Sequence, residues 1–420
     1  MSAPLTLWEE SGKWSTRDSE AAFFHQIAED TSLTVVEAGR SVLDHQIWRV
    51  DLGNPDGLPV MLLGAQHGSE LATREAGLMW IRDLAYSDDP DVLEFLDLVH
   101  IVMVSPVNAD GIEPPTSRNN KQGINLNRDW YTLQSPELQA TMRVVTDVAP
   151  ALLIDLHEWS TSLDITLAWA AGGTDLRPVH PLIDQAGRDI MNAAITEINT
   201  AGYITHQYPV PAPTDTAQGT SRSASGDLHC AGILIETKYG APQHDRVDST
   251  SIFLDTVRVW LTMNHAQLAA AQAASRAAAV AGESDAWVVS ITDENGRGPW
   301  QQITVPESYS IPEGVLIPDE LFEIYGIEYS GRTVSTLQPA RAFIANLLDP
   351  RSADNIYRKP WHGPTPDPEG EGAPSAPLLM VKRDGVRYPV QQMVIKRDGI
   401  RYPVRQLVAK TGGVRRIVGG

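Results

Sequence analysis

Short, mainly apolar runs set between stretches of helical periodicity dominate the first 280 residues. Val60–Leu63, Leu98–Val104, Ala151–Leu156 and Ile233–Ile235 lack the alternation of a half-exposed strand, so they predict strands buried on both faces. Leu71–Tyr86, Ser135–Val148, the segment from Pro181 to about Thr200, and the Ala-rich Ser249–Ala279 repeat apolar positions at helical spacing. Ahead of them, an amphipathic helix near Ala21–Glu29 leads into strand-like TVVEAG and QIWRVDL, and Asn54-Pro-Asp-Gly57 makes a turn. Apolar strands alternating with helices predict an α/β fold, a mostly parallel mixed sheet with helices on both faces. Ligands on such sheets gather at the carboxyl ends of the strands.

The texture changes at residue 285. WVVSIT, QQITVP, GIEYSG and RTVSTLQ predict a small strand-rich accessory domain over 285–358, closing on the helical ARAFIANLL, behind a first domain of 1–284. Lys359–Pro377 holds six prolines and three glycines and reads as a linker. Over 378–420 a fourteen-residue repeat follows: Val381-Lys-Arg-Asp-Gly-Val-Arg-Tyr-Pro-Val390 recurs at Ile395–Val404, with a decayed third copy at Ala409–Val418. Asp-Gly at 384–385 and 398–399 between β-branched runs predicts hairpins. Hairpins this small bury no core alone, so we expect them to pair with other chains, as a homo-oligomer or with other proteins. A disordered basic tail is the alternative, and the regular Val, Ile and Tyr positions speak against it.

Composition bounds the function. Hydrophobic residues make up 42% and charged residues 20%, enough for a sizeable core. The net charge of −20 is uneven: from Leu378 onward there are ten Lys or Arg against two Asp, a balance of +8, which leaves −28 for the rest. An acidic body argues against nucleic acid as a partner. No apolar run is long enough to span a bilayer, and MSAPLTLWEESGKW lacks the basic start and apolar core of a secretory signal. Cys230 is the single cysteine, so no internal disulfide and no cysteine-rich metal site can form. We expect synthesis in the cytoplasm without a signal peptide.

Four polar segments interrupt the apolar framework where chemistry is expected. Gln66-His67-Gly68-Ser69-Glu70 follows a strand, and a His and a Glu three apart on one helical turn can converge on a metal. Arg118 and the pair Asn127-Arg128 lie in a polar stretch whose guanidinium and amide groups suit capture of a carboxylate. In Leu153-Ile-Asp155-Leu-His157, the histidine ends a buried strand, where it could supply a third ligand and leave a fourth position open, or be a core-edge histidine with a capped partner. Asp155 shares its strand face and could orient that histidine. Glu236 ends the apolar run Ile233-Leu-Ile, an expensive place for a carboxylate unless it is paired or catalytic.

In order and strand placement, this set resembles the zinc carboxypeptidase family of metallopeptidases over roughly Ala38 to Leu348. The resemblance implies one zinc ion on His67, Glu70 and His157, and Glu236 as the catalytic glutamate. It implies Asn127 and Arg128 as the pair holding a peptide's terminal carboxylate, and Arg118 as the arginine that polarises the scissile carbonyl. Tyr208 is the nearest candidate for the family's mobile tyrosine. Arg222 lies where the specificity loop should be, which would suit a carboxylate-bearing side chain. Tyr309–Tyr325 and ARAFIANLLDP look like the small domain appended in some bacterial relatives.

The expected partner is therefore a peptide with a free C-terminus. A related group, the succinylglutamate desuccinylases and aspartoacylases, shares the HxxE, Asn-Arg and DLH elements and would make the substrate an N-acyl amino acid. A structural protein with a vestigial peptidase fold is a third reading, against which the complete set of ligands and base argues. The tandem hairpins after a Pro-rich linker resemble assembly tails of bacteriophage minor tail proteins. On that resemblance the chain would act at the bacterial cell wall, as part of a virion, on peptidoglycan stem peptides.

Overall fold

A computed structural model describes residues 3–171, 179–208, 219–289, 300–356 and six short strands within 380–417. Its centre is an eight-stranded sheet in the order β1-β2-β4-β3-β5-β8-β6-β7. These are β1 (Thr34–Arg40), β2 (Gln46–Gly53), β3 (Leu58–Gly64), β4 (Val99–Ser105), β5 (Leu152–Trp159), β6 (Leu167–Ala171), β7 (Thr205–Gln207) and β8 (Ala231–Lys238). The middle strands β4, β3, β5 and β8 run parallel, and β1, β2 and β6 bring antiparallel pairings. All four apolar runs of the sequence lie in these middle strands.

Helices α1 (Leu7–Ser11) and α2 (Arg17–Asp30) precede the sheet, α3 (Ala72–Ala85), α4 (Pro90–Leu98), α5 (Pro136–Val148), α6 (Pro181–Thr200) and α7 (Ser221–Asp227) join its strands, and α8 (Gln243–Val280) follows the last of them. Alternate residues of one strand serve opposite layers, as its pleat requires. Val60 and Leu62 of β3 pack with Phe24, Leu78, Ile190 and Phe253, the side of α2, α3, α6 and α8. Met61 and Leu63 pack with Leu138 and Val145 of α5, Trp130 and Tyr131. Both faces are therefore dry, which is why the alternation is absent from the sequence.

Helix starts follow the local chemistry. Ser135 caps α5 ahead of Pro136, and Asp89 caps α4 ahead of Pro90. Helix α8 begins six residues before the predicted Ser249, because its first turn, His244-Asp245-Arg246, is polar and shows no apolar period. Helices α1, α4 and α7 and strands β6 and β7 were not predicted. None carries a long apolar period, and α4 runs straight into β4 at Val99.

Strands β9 (Ala286–Val289), β10 (Trp300–Ile303), β11 (Ser308–Ser310) and β12 (Thr333–Ser335), with α9 (Asp319–Tyr325) and α10 (Arg341–Leu348), make up 285–356. Leu321, Phe322, Tyr325 and Phe343 share one apolar cluster with Trp130 and Tyr131, and the Tyr325 hydroxyl donates to the Trp130 carbonyl at 2.9 Å. The chain divides into two compact units, Met1–Thr365 and Pro366–Gly420. The second holds three antiparallel pairs, Met380–Arg383 with Val386–Pro389, Val394–Arg397 with Ile400–Pro403, and Val408–Thr411 with Val414–Ile417. The proposed linker 359–377 and the Asp-Gly turns lie outside the described residues. Among the described residues, no helix is long and apolar enough to cross a membrane.

The chain leaves β3 towards β4 on one side and returns to β5 on the other, so the strand order reverses at β3. The crevice expected at such a switch point lies beyond the carboxyl ends of β3 and β5.

Candidate metal centre

His67 and Glu70 emerge in that crevice just past β3. They do not sit on a helix, as the spacing predicts. The segment is a turn closed by the Glu70 N–H donating to the His67 carbonyl at 3.1 Å, and α3 begins only at Ala72. The turn is possible because Ala65, fully buried, takes a left-handed φ of 53°. Val107 and Asn108 N–H groups hold it by donating to the Gly64 and Ala65 carbonyls, each at 2.9 Å. Gly68 then passes so close to Gly111 that a Cβ would lie 2.3 Å from the Gly111 carbonyl carbon.

His157 reaches the same point from β5. Its Nδ1 lies 2.6 Å from Glu70 Oε2, and His67 Nδ1 lies 2.9 Å from Glu70 Oε1. One ligand atom from each of the three buried residues falls within 4.8 Å of the others. Both imidazoles present Nδ1 inward, so each Nε2 is free to be fixed from behind. His67 Nε2 meets Asn125 Oδ1 at 2.9 Å, and His157 Nε2 meets Asp155 Oδ2 at 2.8 Å. Asp155 is itself buried and accepts from Gln66 Nε2 at 3.0 and 2.9 Å and from the Ser221 hydroxyl.

Burial and close partners compete to set the charge of this cluster. Burial works against charge on all three residues. On Glu70 the imidazoles of His157 and His67 outweigh it and hold the carboxyl well below the usual carboxylate range. On His157, Asp155 and Glu70 overcome burial and raise the group well above an ordinary histidine. On His67 burial wins and lowers it. Two imidazoles and one carboxylate form a donor set that fits zinc.

Glu236 lies beside the cluster on β8 and is partly buried. Burial pushes it up to about 8, with His157 and Arg118 pulling the other way and Glu70 and Asp155 adding to the rise. Lys238 does not pair with it; its Nζ donates to the Leu163 carbonyl at 2.7 Å. Arg118 Nη1 donates to Glu70 Oε1, so the guanidinium reaches the cluster while half its side chain stays in solvent.

Asn127 and Arg128 form a short 3-10 turn, Leu126–Arg128. The Asn127 amide is engaged within the protein: Nδ2 lies 3.4 Å from Asp155 Oδ2 and 3.1 Å from His157 Nε2, and Oδ1 accepts the Ser221 N–H at 2.9 Å. Arg128 Nη1 donates to the Asn127 carbonyl at 2.5 Å. Tyr208 packs its ring 4.9 Å from that of Trp159 and feels the charges of Glu236, Arg222, Arg128 and Arg118. Arg222 is buried in the first turn of α7.

Sequence reasoning did not single out Gln66, Asn125 or Ser221, nor the support behind Glu70. There the Glu158 N–H donates to Glu70 Oε2 at 3.1 Å, while the Glu158 carboxylate takes the Ala72 N–H at 2.7 Å and the Arg246 guanidinium. Gln66 and Asn125 adjoin motif residues and could have been found as polar neighbours of ligands. Nothing in the sequence marks Ser221 or Arg246.

The sequence profile of the family described as zinc carboxypeptidase matches residues 21–290, starting upstream of Ala38 and stopping short of most of the 285–356 segment. Several solved structures share the fold. A metallo-carboxypeptidase from Burkholderia cenocepacia aligns with a TM-score of 0.50 at 20% identity, covering 59% of this chain and 69% of that one. A protein from Shewanella denitrificans described as a carboxypeptidase A gives 0.51 at 15% identity, covering 60% and 70%. Thrombin activatable fibrinolysis inhibitor gives 0.50 at 11% identity, covering 63% and 81%. No curated protein matches the chain in sequence.

Proposed function

The chain belongs to the zinc carboxypeptidase family, and on that premise we propose that it hydrolyses the amide bond next to a peptide's free C-terminal carboxylate. The observation that carries this reading is the convergence of His67, Glu70 and His157 beside Glu236. Those three residues would hold one zinc ion, which when bound supplies a Lewis acid at the scissile carbonyl.

The remaining steps belong to the protein. Glu236 accepts a proton from the attacking water and returns it to the leaving amine, and a carboxyl raised into the neutral range can do both. Arg118, already within reach of Glu70, stabilises negative charge on the carbonyl oxygen. Arg128 takes the terminal carboxylate. Asn127, beside it, ties that turn to Asp155 and Ser221. Tyr208 closes over the bound end of the substrate.

We place the substrate among cell-wall stem peptides and the chain in a phage tail, with 378–420 as the tether. The repeat and the Pro-rich stretch before it support that placement. The test is metal analysis of purified protein, with mass spectrometry of C-terminally free and C-terminally amidated peptides. Loss of one residue from the free peptides alone is expected, and cleavage of both equally would end the proposal.

A further inference from the structure

Residues 3–20 lie ahead of the stretch that the family profile matches, yet they are bound into the support of Glu70. The line of contacts starts at the ligand itself. The Glu158 N–H donates to Glu70 Oε2 at 3.1 Å, the oxygen that also faces His157 Nδ1. The Glu158 carboxylate takes the Ala72 N–H, two residues past Glu70, at 2.7 Å. Helix α3 has no side-chain cap at Leu71, so Glu158 supplies the acceptor that its first turn lacks. One residue thus grips Glu70 through its main chain and the segment after Glu70 through its side chain.

A buried carboxylate in that place is costly unless it is paired. Arg246, from the first turn of α8, pairs with it, and both residues are buried. Aromatic rings cover the guanidinium in turn, its carbon lying 5.4 Å from the ring centre of Trp14 and 6.0 Å from that of Tyr239. Tyr239 is exposed, whereas Trp14 packs against Ala65 and Leu71 and also against Ala72 and Val247. Ala65 and Ala72 bracket the turn that carries His67 and Glu70. The neighbours of Trp14 fix it there. The Ser15 N–H and hydroxyl donate to the Glu75 carboxylate at 3.1 and 2.9 Å, and Arg74 Nη2 donates to the Ser15 carbonyl at 2.5 Å. The side chains of Arg74 and Glu75 are entirely buried, so the segment is built into the body of the fold.

We infer that Trp14 and Arg246 are positioning residues for the metal centre. Acting through Glu158, they set where Glu70 presents its carboxylate, which makes the segment ahead of α2 part of the site. This inference rests on the zinc reading of His67, Glu70 and His157, and not on which bond is cleaved. An ion pair that only held α3 and α8 together would change folding stability and leave the ligand geometry alone.

The test measures zinc affinity of the full-length chain by competition with a chelator, together with the d–d absorption spectrum of the cobalt-substituted protein. The double variant Glu158→Gln with Arg246→Met removes the ion pair without leaving a lone charge. Its zinc Kd should rise about tenfold, the lower end of what lost support behind a ligand costs, and its cobalt spectrum should change. Trp14→Ala should raise the Kd about two- to fivefold, the scale of an exposed cation–π contact, and Trp14→Phe should stay within about twofold of wild type. Lower thermal stability in the double variant and in Trp14→Ala, with zinc Kd and cobalt spectrum unchanged, would overturn the inference and leave the zinc reading intact. If the double variant does not fold, the Trp14 pair decides, and equal zinc affinity of Trp14→Ala and Trp14→Phe would overturn it. A wild type that takes up no zinc would overturn the zinc reading and this inference with it.

Discussion

His157 and Glu236 are register partners on neighbouring parallel strands, β5 and β8. Partners in a parallel pair project to the same side of the sheet, so backbone hydrogen bonding, not a flexible loop, sets the spacing between these two side chains. His67 and Glu70 approach from a turn and depend on loop packing instead. The site therefore combines a rigid half and a half whose geometry rests on close backbone contact.

Replacing Glu236 with Gln tests the division of labour on the rigid half. Glu236→Gln should retain zinc and lose roughly two to four orders of magnitude in kcat, the usual effect of deleting a positioned acid–base group. Near-normal turnover would assign the proton transfer to another residue.

His67→Ala removes one of the three proposed ligands. Zinc content should drop from one per chain towards zero, with activity lost in step and the far-ultraviolet circular dichroism kept, since β3 ends before the ligand turn. Chelation of the wild type should abolish activity and added zinc should restore it. Retained activity after complete metal removal would exclude the metal reading.

The loop half is more sensitive to a smaller change. Gly68→Ala would force a methyl group against the Gly111 backbone, which cannot swing aside like a flexible side chain. We expect destabilisation of about 1–3 kcal/mol, the scale of overpacking, and weaker zinc retention against a chelator titration. Unchanged zinc affinity would show that the turn has slack.

How much of this was legible beforehand follows from where the information lies. The four apolar runs fall in the four middle strands, because burial on both faces leaves a nearly continuous apolar signature, interrupted only at His100 and Asp155. His67, Glu70 and His157 stand out in the sequence because metal-binding residue types are few and their spacing is ordered, and the structure brings the three together. The turn carrying His67 and Glu70 was mistaken for helix, since three-residue spacing is shared by both and the left-handed Ala65 leaves no mark in composition. Contacts such as Gln66 with Asp155, or Ser221 with Asn127, join residues ninety or so positions apart, and no local pattern reports them. Strand β6 has only five residues and joins β8 antiparallel, so neither length nor period announced it.

Glu137 should make stability depend on pH. Its side chain is buried in the first turn of α5, accepting the Val42 N–H at 3.2 Å and Asn120 Nδ2 at 3.0 Å. Burial outweighs those hydrogen bonds and pushes the carboxyl from an ordinary 4.5 up to about 7. The folded chain thus keeps a proton that the unfolded chain has released. The associated stability is full below about 4.5 and is lost as pH rises through about 7. At about 1.4 kcal/mol per unit, the effect is on the order of 3 kcal/mol at most. Urea unfolding of wild type and Glu137→Gln should show the difference, wild type minus variant, falling over that window and flat above it. A constant difference would mean that Glu137 is ionised throughout.

The repeat tail supplies the last prediction, that residues 366–420 hold chains together and take no part in hydrolysis. They form a compact unit by themselves, built of three short antiparallel pairs. Pairs of four-residue strands are marginal alone, because each leaves backbone edges and one face in water. The fourteen-residue repeat offers a strand edge three times over, with Tyr388 and Tyr402 in the first two copies and Arg416 in the decayed third, which suits association with copies of itself. Over 378–420, ten basic residues against two acidic ones would disfavour that packing unless they face solvent. A chain ending at Thr365 should therefore stay soluble, turn over peptide at the full-length rate per site, and run as a monomer in light scattering. The full-length protein should be oligomeric, and more so at moderate salt, where repulsion among the basic residues is screened. A full-length monomer at all protein and salt concentrations would remove self-assembly as the role of the tail.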